Sequence, residues 1–156
     1  PAPKIQIDSK RLAEVALKEG DPARGRSLFF SEKATCAKCH KFKSEGGRIG
    51  PDLTNSARRL DRRGLVESIL YPSASILTGY ETWTIVDTSG RPQSGLLIST
   101  GEKIVVRSAE GKQHAVPRNE VDELIRHGHS LMPDSLGKTL TVQEIADLVT
   151  FLREGN

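Results

Sequence analysis

The sequence predicts a mainly α fold carrying a small inserted antiparallel β-sheet, α+β overall, on three observations. Helix-type apolar spacing occupies both ends of the 156-residue chain. Between residues 80 and 116, four short runs rich in Thr, Val and Ile are separated by glycine turns. The first helical block contains Cys36-Ala37-Lys38-Cys39-His40, a pattern with a chemistry of its own.

The elements follow from local patterns. Ser9 to Lys18 reads as a short amphipathic helix with Leu12, Val15 and Ala16 on one face and Gly20 as a stop, an accessory piece within a 1–20 extension. Asp21-Pro22 supplies an N-cap and a proline at the first helical position, starting a helix that carries Gly25 and Phe29 on one side. A third helix runs from about Asp61 to Leu70 and is ended by Tyr71-Pro72. Tyr80 to Asp87, Gln93 to Ser99, Lys103 to Ser108 and Lys112 to Val116 read as strands of a meander, with turns at Ser89-Gly90, Thr100-Gly101 and Glu110-Gly111. A short helical or irregular return is expected at Pro117 to Arg126. Thr141 to Glu144 is a capping box, and Ile145, Leu148, Val149, Phe151 and Leu152 form a broad apolar stripe behind it. The expected organisation is a helical domain of residues 21–78 and 122–156, interrupted by a β insertion at 79–121.

Two cysteines three residues apart, followed at once by histidine, form the attachment signature for one covalent c-type haem through Cys36 and Cys39. On a helical turn, residues i and i+3 share a side, so both sulfurs can bond the vinyl groups along one haem edge, with His40 beneath the iron. Two other chemistries use the same residues. Half of a zinc site needs two further Cys or His at ligand spacing, and no second CxxC accompanies His127 and His129. A redox dithiol opens a helix after a buried strand, whereas Phe29-Phe30-Ser31-Glu32-Lys33 precedes this one with helix-like polarity.

Iron held by His40 on one side needs a sixth ligand for simple electron passage, and Met132 is the only methionine. Pro133 restricts the backbone of Met132 to an extended conformation that can aim the thioether inward. The competing role is a core gap-filler. His127 and His129 lie within five residues of Met132, so bis-histidine ligation stays open, although Gly128 and Ser130 give that stretch the texture of flexible surface. Pro51 follows the attachment site within Gly50-Pro51-Asp52-Leu53, and its carbonyl can accept a hydrogen bond from the second imidazole nitrogen of His40. Arg48, Arg58, Arg59 and Trp83 are candidate propionate partners.

Composition bounds the rest. Aromatic content is only 4%, low unless a large flat group fills part of the interior. No apolar run approaches a membrane span, and Pro1-Ala2-Pro3-Lys4 lacks the apolar run of a signal peptide, so the chain reads as mature or excised. Because c-type haem is attached outside the bacterial cytoplasm, the motif itself implies a periplasmic or extracytoplasmic address. Net charge is +3, but Cys36 to Arg63 holds eight Lys or Arg against three Asp or Glu. That excess reads as a solvated face with propionate partners before it reads as a docking patch. No basic run interleaves with aromatics, which argues against nucleic acid.

Gly25 with Phe29, the attachment motif, Gly50-Pro51-Asp52-Leu53, the loop methionine and a terminal helix with Leu148 and Phe151 together resemble class I cytochromes c. The resemblance implies a cytochrome c-like helical haem domain in which Gly25 and Phe29 meet Leu148 and Phe151, Cys36 and Cys39 carry haem, His40 is proximal, Pro51 supports it and Met132 is distal. The strand-rich segment departs from that family. Glu67 to Ser73, Gly79-Tyr80-Glu81-Thr82, the glycine-turn hairpins and Ser130-Leu131-Met132-Pro133 look like the haem-binding domain of planctomycete and verrucomicrobial type, found at the carboxyl end of large secreted dehydrogenase-like proteins. The implied function is electron transfer without enzymatic bond chemistry, with a dehydrogenase domain or another cytochrome as redox partner. The alternative is a haem-based ligand sensor or weak peroxidase with a labile distal ligand.

Overall fold

A computed structural model describes residues 5–155; the Pro1–Lys4 end of the expected extension lies outside the described residues. The chain divides into two units, Ile5–Ser75 with residues 133–155, and Ile76–Met132.

The first unit is helical: α1 (Ser9–Leu17), α2 (Pro22–Phe29), α3 (Cys36–Cys39), a two-residue hairpin of β1 (Lys41–Phe42) and β2 (Glu45–Gly46), α4 (Ser56–Arg59), α5 (Arg62–Leu70), α6 (Leu136–Thr139) and α7 (Val142–Glu154). Local chemistry sets the helix starts. Asp21 accepts from the Arg24 amide at 2.7 Å with Pro22 at the first helical position, Asp61 accepts from Gly64 at 2.7 Å, and Thr141 and Glu144 bond reciprocally.

Helices α2 and α7 cross backbone to backbone. A Cβ on Gly25 would stand 2.0 Å from the Asp147 carbonyl oxygen and 2.7 Å from Cβ of Phe151, so only glycine permits this approach. Phe29 and Phe151 meet beside it with ring centres 5.6 Å apart, and Phe42 approaches Phe151 at 4.4 Å. Phe30 joins at 5.0 Å from Phe29, so all four phenylalanines of the chain gather here. Each fully buried ring contributes about 1.5–3 kcal/mol through burial.

The electrostatic staple of this crossing is Asp147, 3% exposed on α7. It accepts from the Asp21 amide at 2.7 Å, Arg24 Nε at 2.8 Å and Gln143 Nε2 at 2.9 Å. Burial pushes its carboxyl upward, but the bonds from Arg24, Asp21 and Gln143 together outweigh that and hold it below the ordinary carboxylate range.

Helix α1 is integral to this unit and no accessory. Leu12 and Val15 are fully buried, and α1 packs on α5 and α7. Arg62 on α5 ties it down by donating to the Ala16 carbonyl at 2.8 Å and to Thr150 Oγ1 on α7 at 3.0 Å.

The second unit is one antiparallel sheet of β3 (Glu81–Asp87), β4 (Pro92–Thr100), β5 (Lys103–Arg107), β6 (Gln113–Pro117) and β7 (Val121–Ser130), in the order β6-β5-β4-β3-β7. Gly90 and Gly111, at φ +76° and +82°, take the left-handed conformations their hairpin turns require. The sheet has its own core of Ile85, Ile104, Val106 and Val116, against which Trp83, Leu97 and Val121 pack.

The expectation of a mainly α chain is overturned. With 36% helix, 26% strand and a five-stranded sheet, the fold is α+β. Pro117 to Arg126 accounts for much of the difference. Only Arg118–Glu120 is a helical turn, and the segment then continues as the ten-residue edge strand β7, well past the expected insertion boundary at residue 121. An edge strand is solvated along much of its length, so its sequence has no need to alternate polar with apolar residues.

Candidate functional site

Helix α3 is a single turn, entered through Thr35 in the left-handed region (φ 54°) and closed by the His40 amide donating to the Cys36 carbonyl at 2.8 Å. The turn puts Cys36 and Cys39 on one side, both half-buried and not joined in a disulfide. The following loop folds back onto it. Gly47 N donates to the Ala37 carbonyl at 2.7 Å, and Gly50 N to the Cys39 carbonyl at 2.8 Å.

That return sets the imidazole of His40. Nδ1 donates to the Pro51 carbonyl at 2.8 Å, leaving Nε2 as the nitrogen with a free lone pair. The ring lies against the backbone of Gly50, where a Cβ would stand 2.5 Å from Cε1 and 2.7 Å from Nδ1. Burial holds His40 below its ordinary pKa, with the Pro51 bond offsetting part of the effect, so the imidazole is neutral and competent to donate to a metal.

The Cys36 thiol has the opposite character from that of a redox pair. Burial pushes Cys36 up to about 11, whereas dithiol exchange depends on a readily formed thiolate. Among the described residues no group of three or more His, Cys, Asp or Glu converges as a structural metal cluster would. Two half-buried thiols on one side of a turn, beside an imidazole with one nitrogen tied and one available, are a donor set suited to thioether attachment of haem with a nitrogen ligand.

Residues 22–96 match the cytochrome c family model. The cytochrome c match makes haem c the cofactor, and Cys36 and Cys39 fit its attachment. It carries with it electron transfer at iron and a redox partner in general. No curated protein matches the chain. The matched segment takes in α2 to α5 and continues into β3 and β4 of the sheet, while α7, which packs on Gly25 of α2, lies beyond it.

Cys36, Cys39, His40 and Pro51 therefore gather in the helical unit. Met132 closes the sheet unit, half-buried directly after β7, with its amide donating to Ser130 Oγ at 3.1 Å. His127 and His129 are not on flexible surface but on β7, and His127 Nε2 is 2.8 Å from Thr84 Oγ1. His114 sits on β6 opposite Val106. Of the candidate propionate partners, Trp83 packs against the sheet core and Arg59 donates to the Asp52 carbonyl at 3.1 Å.

Several cations of the basic stretch are matched locally. Lys38 pairs with Glu32 at 2.7 Å, Lys41 lies 4.0 Å from Asp52, and Arg62 is spent on α1 and α7. This agrees with a solvated face whose charges are matched in part by local partners. Sequence reasoning missed Gly50 as the seat of the imidazole, and Asp147 as the anchor of the α2–α7 crossing. The signal for Asp147 was an acidic residue inside the apolar stripe of α7. No helix among the described residues is long and apolar enough to cross a membrane.

Proposed function

We propose that this chain is a single-haem electron carrier in which His40 ligates the iron through Nε2 and Met132 provides the opposite ligand. The observation that carries the reading is the seating of His40, with Nδ1 bonded to Pro51 and the ring against Gly50 beside two half-buried thiols. When bound, haem supplies reversible one-electron exchange at iron. Cys36 and Cys39 hold it, the Pro51 carbonyl fixes the tautomer and strengthens His40 as a donor, and the phenylalanine cluster keeps water from the helical core.

A soft thioether favours ferrous iron relative to a second imidazole, so this ligand pair gives a comparatively high potential. That suits acceptance of electrons from a dehydrogenase domain, or exchange with another cytochrome, in a periplasmic or extracytoplasmic setting. The order of phrases around the sheet supports membership of the planctomycete and verrucomicrobial type. With both axial positions filled, the chain performs no bond chemistry of its own.

Absorption and magnetic-resonance spectra of the holoprotein in both oxidation states test the reading. Wild type is expected to be low-spin, and Met132→Ala to become high-spin or to recruit a histidine. A variant spectrum identical to wild type refutes the distal assignment, and rapid binding of carbon monoxide or cyanide by the resting protein moves the reading to a ligand sensor or weak peroxidase.

A further inference from the structure

Three of the four histidines of the chain are outside the ligand set proposed above, and two of these, His127 and His129, lie on β7. The rings of His127 and His129 have centres 5.1 Å apart and are inclined at 39°. The pairing of β7 with β3 is irregular here. Glu81 faces Ser130 and Trp83 faces Arg126, so two steps on β3 are matched by four on β7, and the extra residues are those that carry the pair. Bulges of this kind re-aim side chains and gather at functional positions.

The hydrogen bonding distinguishes the two nitrogens of His127. Nε2 is engaged with Thr84 Oγ1 at 2.8 Å, and Thr84 Oγ1 is in turn 2.7 Å from Ser94 Oγ. Thr84 is 9% exposed, so this hydroxyl relay is held in place. When the Thr84 hydroxyl donates to Ser94 it accepts from Nε2 of His127, and in that tautomer His127 presents Nδ1 as a lone-pair donor. This is the arrangement by which metal-ligating histidines are oriented. His129 is exposed beside it. Two imidazoles sharing one ion at about 2.0–2.1 Å from each nitrogen have ring centres roughly 5 Å apart, close to the observed spacing.

We propose that His127 and His129 form a two-imidazole chelate for a divalent transition-metal ion, oriented by Thr84 and Ser94. Two imidazoles that belong to no larger group of His, Cys, Asp or Glu among the described residues select ions that favour nitrogen, Cu2+ first and then Ni2+ or Zn2+, with solvent completing the coordination. The ion would clamp the strand that leads directly into Met132.

The test is calorimetric titration of tag-free holoprotein with Zn2+ and with Cu2+, together with the electron paramagnetic resonance of the bound Cu2+. The expected result is one saturable equivalent per chain and hyperfine structure from two imidazole nitrogens. His127→Gln and His129→Gln should each weaken binding by about tenfold or more, while His114→Gln leaves it unchanged. Thr84→Val keeps the shape of the side chain and removes the hydroxyl, and should weaken binding severalfold. The haem absorbance of each variant reports that the protein is intact. No saturable binding, equal affinity in His127→Gln or His129→Gln, or loss in His114→Gln overturns the site. Unchanged affinity in Thr84→Val overturns the orientation on which it depends.

Discussion

Gly50→Ala is the sharpest perturbation of the haem-attachment site. Gly50 has a backbone that any L-residue can adopt, so alanine brings no conformational strain and its whole effect is steric. The new methyl would lie 2.5 Å from Cε1 and 2.7 Å from Nδ1 of His40. Ordinary carbon contacts need about 3.5 Å, so the imidazole must retreat by about 1 Å. The bond from Nδ1 to Pro51, now 2.8 Å, would then stretch past the useful range. Loss of that bond costs about 1 kcal/mol, and forcing a methyl into a closed contact about 1–3 kcal/mol more, for a total of about 2–4 kcal/mol. With His40 as the proposed iron ligand, weaker hydrogen bonding also makes it a poorer donor to ferric iron, so the potential should rise, by about 40 mV for each kcal/mol of differential stabilisation. Guanidinium unfolding of the holoprotein, followed by haem absorbance and helical circular dichroism, measures the first effect, and spectroelectrochemistry the second. Stability within about 0.5 kcal/mol of wild type, with an unshifted potential, refutes the seating of His40 on Gly50.

At the helix crossing, Gly25→Ala gains up to about 1 kcal/mol of helix propensity, but the methyl meets the Asp147 carbonyl at 2.0 Å. Backbone cannot yield as a side chain does, so the clash wins and the variant should lose about 2–4 kcal/mol by chemical unfolding; a stabilised variant would show that α2 and α7 do not touch there. Asp147→Asn should cost about 1–3 kcal/mol at neutral pH, since Arg24 is exposed enough to be resolvated when it loses its partner. The folded pKa of Asp147 is depressed, so its contribution is fully present above the unfolded value near 4 and is lost as pH falls through the lower folded value. The stability gap between wild type and variant should therefore narrow in acid, and a gap that is constant from pH 6 to pH 2.5 refutes the linkage.

What was legible in the sequence is what short-range chemistry controls. Asp21-Pro22, the capping box at Thr141 and the glycine turns of the meander each fix a local backbone, and the structure has helices and strands at those places. The spacing of Cys36, Cys39 and His40 is likewise a property of one turn. Packing partners are another matter. The apolar face of α1 was visible in Leu12 and Val15, but the pattern says only that a face is buried, and it took the contacts with α5 and α7 to show that α1 belongs to the helical core. The sequence Val121 to Ser130 carries no alternation, because most of its residues meet solvent on both faces of a strand that is at the edge of the sheet among the described residues. Its strand character comes from pairing with β3, some forty residues upstream, and local reading has no access to that.

The two units also explain why a linear match and a folded domain need not coincide. The cytochrome c match extends to residue 96, yet the chain leaves the helical unit at residue 76 and returns at residue 133. Such an interruption is tolerable only if the inserted segment satisfies its own apolar residues, and this one does, since Ile85, Ile104, Val106 and Val116 bury one another within the sheet. The helical unit meets the complementary demand. Its amino-terminal and carboxyl-terminal halves are joined by Gly25 against Asp147 and Phe29 against Phe151, contacts made by residues more than 120 positions apart. The consequence falls on Met132. In place of a loop between helices, it follows the last strand of a sheet, so the position of the proposed sulfur ligand is governed by the pairing of β7 with β3 as well as by the haem. Changes to that strand, made far in sequence from His40, are therefore where the proposed Met132 ligation should be alterable without changing the attachment residues.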